Sequence, residues 1–125
     1  MKEFAKDLIQ KENLYLGISN VEKYIDKISS KAEFIYFENK GFVAYYRDKD
    51  FGFITMIIVD RKYRGNNIGK KLINLILKDL KNKRIKSCKL EVDIKNINAY
   101  KLYSQMGFIF IGTKNSKIEM EYKWN

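Results

Sequence analysis

Apolar residues along this chain fall into two kinds of spacing, and the switches between them mark out its elements. Val21, Tyr24, Ile25 and Ile28 recur three and four apart, which predicts an amphipathic helix. Ser19-Asn20-Val21-Glu22 ahead of them is a capping-box pattern that starts it. Phe4 to Lys11 predicts a short helix before that one. Three runs rich in aromatic and β-branched residues come next, at 33–38, 42–48 and 52–59, and read as strands. Asn39-Lys40-Gly41 and Asp48-Lys49-Asp50 separate them as hairpin turns. Helical spacing returns in Leu72, Ile73, Ile76, Leu77 and Leu80, giving a helix over 67–82. A strand at 87–93, a helix at 97–106 and strands at 108–113 and 117–124 complete the chain, the last two joined at Lys114-Asn115-Ser116. Hairpins, then a strand–helix–strand crossover, then a closing hairpin make a mixed α+β (α/β) domain, one sheet flanked by helices.

The segment between the third strand and the long helix carries the chemistry. Val59-Asp60-Arg61-Lys62-Tyr63-Arg64-Gly65-Asn66-Asn67-Ile68-Gly69 is a short polar loop between a strand and a helix. Such a loop aims backbone N–H groups and the positive end of a helix dipole at one point, which suits an anion. Gly65 and Gly69 let a phosphate approach the backbone, and Arg64, Lys70 and Lys71 add positive charge. A diphosphate fits this arrangement; a solvated turn is the plainer alternative. The spacing is neither Gly-x-x-x-x-Gly-Lys-Ser/Thr nor Gly-x-Gly-x-x-Gly with a later acidic ribose ligand.

A second block comes later, in order. Leu90-Glu91-Val92 ends a strand, Asn96-Ile97-Asn98-Ala99-Tyr100-Lys101-Leu102-Tyr103 opens a helix, and Met106-Gly107-Phe108 leads into the next strand. Ala99, Leu102 and Met106 share a helical face, so a core-facing stripe explains part of the pattern without chemistry. Together the two blocks resemble the GCN5-related N-acetyltransferase (GNAT) family over residues 30–124. In its cofactor loop, Arg/Gln-x-x-Gly-x-Gly/Ala, the marked positions are Arg64, Asn67 and Gly69. Asn67 stands where the family usually has glycine, and asparagine is the residue that best tolerates the positive φ required there. The downstream Asn-x-x-Ala-x-x-Leu-Tyr and Gly-Phe are matched by Asn96, Ala99, Leu102, Tyr103, Gly107 and Phe108.

Composition narrows the function. The chain has 125 residues, 46% of them hydrophobic, enough for one domain (1–125) with a real core. No segment has the apolar length of a membrane span or a signal peptide, and a single cysteine allows no internal disulfide, so a cytoplasmic setting is expected. Cys88 is in phase with Leu90 and Val92, as a buried structural thiol would be. With no histidine and one cysteine, neither an ordinary zinc site nor a histidine-based triad is available, and no metal is expected. The net charge of +10 raises nucleic-acid binding, but the positive side is nearly all scattered lysine, and the densest group, Lys78 to Lys86, sits at a helix C-terminus where cations complement the dipole. Charge therefore argues for a solvated basic surface over a nucleic-acid partner.

The resemblance implies a GNAT-type sheet, mostly antiparallel, with helices on both faces. The short region before Ser19 leaves the family's usual first strand missing or reduced. It implies acetyl transfer from acetyl-CoA to a primary amine by direct attack in a ternary complex, with room for a homodimer. The cofactor would lie along the backbone of Ile57, Ile58 and Val59 and on the loop of Arg64, Gly65, Asn66, Asn67, Ile68, Gly69 and Lys70, with Asn96 and Ala99 nearby. Tyr103 matches the family's acid for the departing thiolate and would also touch the cofactor. Asn96 has a helix N-cap as its alternative role. A base for the amine is not marked: the third strand holds no carboxylate, Glu91 and Asp93 are the nearest, and Thr55 or a backbone carbonyl with a water wire would serve. That gap keeps a second reading open, a non-catalytic acetyl-CoA-binding module or sensor.

Overall fold

The computed structural model describes residues 1–124. Helices α1 (Glu3–Leu16) and α2 (Val21–Lys31) lead into strands β1 (Glu33–Phe37), β2 (Gly41–Arg47) and β3 (Phe51–Val59). Helix α3 (Ile68–Asn82), β4 (Ser87–Asp93), α4 (Ile97–Gln105), β5 (Ile109–Lys114) and β6 (Lys117–Lys123) complete the order. The six strands form one sheet in the order β1-β2-β3-β4-β6-β5. Only β3 and β4 are parallel; every other neighbouring pair is antiparallel. This is the mixed, mostly antiparallel sheet expected. No strand precedes α1 among the described residues, and β1 forms one edge.

The first helix runs five residues past the expected Lys11. Leu14 and Tyr15 are 86% and 68% exposed, so they carry no buried stripe by which the pattern could have been read. The helix stops where Gly17 adopts φ +68° and donates its N–H to the Asn13 carbonyl. Helix α2 starts one residue later than the capping-box pattern implies. Asn20, not Ser19, is the cap, its Oδ1 accepting the Lys23 N–H at 3.1 Å.

The core lies on both faces of β2, which is why that strand reads as an unbroken apolar run. Phe42 and Ala44 pack with Ala5, Leu8, Ile9, Ile25 and Ile28 beneath α1 and α2. Val43 and Tyr45 face the opposite side, with Leu72, Ile73, Ile76 and Leu80 of α3. Each large apolar side chain buried this way stabilises the fold by about 1.5–3 kcal/mol. α4 covers the far end of that same side through Ala99, Leu102 and Met106, the shared face expected of them.

The sheet has an irregularity in β3. Tyr45 is opposite Ile54 and Ala44 is opposite Met56, so Thr55 is an extra residue on that strand, a β-bulge. The bulge inverts the alternation of the strand. Ile54 faces α3 before it, whereas after it Ile57 and Val59 face α3 and Met56 and Ile58 turn toward α1 and α2. Pairing of β3 with β4 ends at the same place, running only from Phe51↔Ser87 to Ile54↔Leu90. Beyond Ile54 the two strands part.

These contacts set the expected cost of two glycine substitutions and the behaviour of the thiol. Gly107 has φ +102°, and a Cβ there would sit 2.8 Å from the Tyr122 ring. Gly107→Ala should lose roughly 1–3 kcal/mol in a urea titration, and Gly17→Ala, equally left-handed but facing open space, about 1 kcal/mol. Cys88 is fully buried, and burial pushes its thiol up to about 12. The unfolded thiol ionises above about pH 8.5, where the folded one keeps its proton, so stability from this group should fall as pH rises from there toward 12. Native protein at pH 8 should resist iodoacetamide, and denatured protein should react fully.

Candidate active site

The loop after β3 is built to leave its amides free. Arg61–Tyr63 make a single turn of 3-10 helix, pinned by the Asp60 carboxylate, which accepts the Lys62 N–H at 3.1 Å. That bond holds the Asp60 carboxyl below the ordinary carboxylate range. Gly65 at φ +90° and Asn67 at φ +60° then turn the chain into α3. Asparagine therefore does adopt the left-handed geometry that its position demands. Its side chain makes no cap, and only its carbonyl enters the helix, accepting the Lys71 N–H. The N–H groups of Ile68, Gly69 and Lys70 thus have no intrahelical partner and sit at the positive end of the helix dipole. No acidic residue lies in that first turn. A Cβ at Gly65 or Gly69 would meet no protein atom within 4 Å, so the space above both is open.

Three connected cavities run from this loop along the parted strands. The first, about 210 Å³, is lined by Tyr63, Gly65, Asn67, Ile68, Gly69 and Lys70 among others. It shares Val59, Arg64, Gly69 and Leu102 with a second of about 290 Å³. Ile57, Ile58 and Val59 of β3 wall the second on one side, and Leu102 and Tyr103 of α4 on another. The third, about 320 Å³, continues past Leu16 and Ile57 toward Thr55 and Lys117. A larger cavity of about 600 Å³ opens beside Asp50, Arg84, Ser87 and Trp124, and none of the catalytic or cofactor-binding residues expected from the sequence lines it.

Tyr103 points into the second cavity, its ring lying 6.0 Å from that of Phe108 at 62°. Burial pushes its phenol above the ordinary value, so it holds its proton at neutral pH. The same cavity is lined by a residue without a sequence signal, Glu12 of α1. Its side chain is 3% exposed, and both carboxylate oxygens accept from Arg61 Nε at 3.2 Å. Arg64 approaches the same carboxylate at 3.8 Å while its Nε donates to the Val59 carbonyl at 3.2 Å. Arg61 also lies over the Tyr15 ring at 3.9 Å. These contacts tie the end of α1 to the loop. Glu12 stands in a polar stretch 49 residues from Arg61, so only the folded chain brings the two together.

The remaining expected residues lie outside the cavities. Asn66 braces the loop, donating Nδ2 to the Tyr63 carbonyl at 3.1 Å. Asn96 caps α4, its Oδ1 accepting the Ala99 N–H at 3.1 Å, and Ala99 packs on the core. Glu91 is exposed on β4 opposite Glu119, and the Asp93 carboxylate accepts the Lys95 N–H. Among the described residues, Glu12 is the one carboxylate lining the three cavities. Among the described residues no group of three or more His, Cys, Asp or Glu could hold a metal ion.

Known proteins resemble this chain in sequence and in fold. Residues 9–108 match the model of the acetyltransferase (GNAT) family. Over 58 residues the chain is 36% identical to N-alpha-acetyltransferase 30 of Saccharomyces cerevisiae, covering 46% of this chain and 33% of that protein. The chain thus spans about a third of that curated relative. A solved structure from Pyrococcus horikoshii superposes with a TM-score of 0.80 at 26% identity, covering 100% of this chain and 94% of the other. A GNAT family acetyltransferase from Elizabethkingia anophelis with acetyl-CoA bound has the same fold, with a TM-score of 0.73 at 19% identity and coverage of 82% and 83%.

The open space above Gly69 makes a sharp test. Gly69→Val should leave thermal stability nearly unchanged, because a Cβ at that position meets no protein atom within 4 Å. It should weaken acetyl-CoA binding by at least about tenfold in calorimetry, because the branched side chain occupies the approach to the backbone. Arg64→Ala should weaken it less, and Asn67→Gly should be neutral or slightly favourable. Wild-type affinity in folded Gly69→Val would remove the loop from the binding site.

Proposed function

Because the chain belongs to the acetyltransferase (GNAT) family, we propose that it transfers acetyl from acetyl-CoA to an amine in the cleft where β3 parts from β4. The observation that carries this reading is the continuity of the cavities. The free amides of the loop and the Tyr103 side chain open into spaces that share Val59, Arg64, Gly69 and Leu102. A cofactor with a diphosphate at one end and a thioester at the other needs that kind of connected site. The names of the curated relatives support an α-amine as the acceptor.

The residues divide the work. Amides from Gly65 to Lys70, with Arg64 and Lys70, hold the diphosphate. The backbone of Ile57 to Val59, released from β4, pairs with the extended arm beyond it. Held this way, amine and thioester react as if within one molecule, an advantage of roughly 7–11 kcal/mol at best. The amine nitrogen forms a bond to the acetyl carbon as the carbon–sulfur bond breaks, and Tyr103 gives its proton to the departing sulfur. Arg61 occupies both oxygens of Glu12, so that carboxylate positions the loop, and the amine's proton leaves to water. An unperturbed α-amine with pKa about 7.7–8.0 is mostly charged at pH 7, a penalty of roughly 1 kcal/mol, so rates should climb as pH rises toward about 8.

The buried free thiol suits a reducing, cytoplasmic setting; among the described residues no helix is long and apolar enough to cross a membrane. A homodimer is supported by edge strand β5, which exposes Ile109, Phe110 and Ile111 in succession.

Tyr103→Phe tests the reading. It removes a hydroxyl and keeps the ring against Phe108, so stability and acetyl-CoA affinity should hold while kcat falls about 10²–10⁴-fold. An unchanged rate would take Tyr103 out of the reaction. Tight acetyl-CoA binding with no turnover on any amine would make the protein a sensor.

A further inference from the structure

The larger cavity, about 600 Å³, lies where β3 and β4 begin and β6 ends. Its floor is a patch of one sheet face. Phe51, Ser87 and Lys123 are neighbours across β3, β4 and β6, and Lys89 and Glu121 stand side by side in an adjoining row. Cys88, Leu90, Met120 and Tyr122 alternate with them, turn to the opposite face and join the core under α3. The cluster beneath α1 and α2 takes in no residue of β4 or β6, which leaves this floor open. Two polar residues are buried among the described residues, Glu12 and Ser87. Glu12 is matched by Arg61, whereas the Ser87 hydroxyl makes no hydrogen bond among the described residues although Ser87 is only 6% exposed. No fully buried side-chain polar atom among them lacks a partner, so this hydroxyl opens on the cavity that it lines.

Charge enters from three elements. Arg84 and Lys86 stand in the turn after α3, Lys89 on β4 and Lys123 on β6. Two acids line the same cavity, Asp50 and Glu121. Glu121 is opposite Lys89 and 3.7 Å from Lys123, so its carboxylate is set between two lysines. Setting both acids against the four cations leaves a surplus of two positive charges. Arg84 and Lys86 form no ion pair among the described residues. Arg84 is held at φ +61°, which glycine adopts freely and arginine only at a cost. The carbonyls that end α3 already accept from the Lys83, Arg84 and Ile85 N–H groups, so the helix end does not need this side chain. The Lys86 N–H donates to the Asp50 carbonyl at 3.1 Å and fixes the two turns against each other, so the rim is formed in advance. Phe51 and Trp124 add aromatic surface, and Trp124 is braced edge-on by Tyr122, their centroids 5.5 Å apart at 69°.

We propose that this cavity is a second binding site, separate from the cofactor cleft, and that it takes a nucleoside monophosphate. The base lies against Trp124 and Phe51, and Arg84, Lys86 and the Ser87 hydroxyl hold the phosphate. A phosphate monoester carries close to two negative charges at neutral pH, which matches the surplus on the walls. Asp50 and Glu121 are acceptors for an amino group of the base, a feature that an inorganic anion lacks. The volume is in the range of sites that enclose a ligand of this size. The site stands or falls independently of acetyl transfer, because it shares no residue with the three cavities of the cleft.

Trp124 is the single tryptophan of the chain, so its fluorescence reports on this cavity. The test titrates the protein, with and without saturating CoA, with AMP, adenosine, inorganic phosphate and hexaadenylate. AMP should change the Trp124 emission saturably in both conditions, with adenosine and phosphate at least about tenfold weaker. Arg84→Gly should melt no lower than wild type, because glycine accepts φ +61°, and should bind AMP at least about tenfold more weakly. Ser87→Ala should weaken AMP about threefold. Acetyl-CoA affinity and any turnover should be unchanged in Arg84→Gly, which separates this site from the cleft. The proposal is overturned by no saturable response to AMP, by adenosine or phosphate binding as tightly as AMP, or by wild-type AMP affinity in Arg84→Gly. AMP binding that CoA abolishes would place the nucleotide in the cofactor's own site. Hexaadenylate binding more tightly than AMP would make the cavity part of a nucleic-acid surface. Either result would also overturn it.

Discussion

The parting of β3 from β4 is the constraint on which the rest of the structure depends. A parallel pair is normally bonded along its whole length, yet here only four residue pairs engage. The bulge at Thr55 increases the local twist of β3 and exchanges its two faces. Past it, the backbone edge that would have faced β4 faces a cavity. An unpaired strand edge in a half-buried place is costly unless something completes it. The proposed cofactor arm would do so, and for that reason the cleft and the binding site are one feature.

Charge is arranged around that cleft with an economy the overall figure of +10 conceals. At the loop, Arg61 and Arg64 converge on Glu12, so two positive charges share one buried negative partner. The surplus is positive where a diphosphate is proposed to bind. Elsewhere the basic residues answer structural demands. Lys83 reaches Asp79 at 2.8 Å and Glu33 at 3.3 Å, linking the end of α3 to the β1 edge, and Asp79 also accepts from the Tyr45 hydroxyl. Net charge alone therefore says little about partners for this chain; the positions of a few cations say more.

Much of the fold was legible because local pattern and packing agree. The stripe of Leu72, Ile73, Ile76, Leu77 and Leu80 is the buried face of α3, and the apolar β2 run is buried on both sides. The loop was legible for a different reason: Gly65 and Asn67 are residue types that a left-handed backbone selects. What could not be read depends on distant contacts. The bulge hides inside a continuous apolar run, because Phe53 to Val59 looks the same with or without an inserted residue. Glu12 looks like any helix-surface acid until Arg61 closes over it. Exposed Leu14 and Tyr15 obscured the length of α1, since no buried stripe demanded them. The sequence left Asn96 with two roles, and the folded chain shows its side chain in one of them, the cap of α4.

If the released backbone of β3 and the loop amides form one continuous cofactor site, a single ligand must engage both. Amide hydrogen exchange with and without acetyl-CoA addresses this directly. The Ile57 and Val59 amides, on the β3 edge turned away from β2, and those of Gly65 to Lys70 should exchange fast in the free protein and become protected together on binding. Unchanged exchange in both segments, with protection instead around Asp50, Arg84 to Ser87 and Trp124 at the larger cavity, would contradict it.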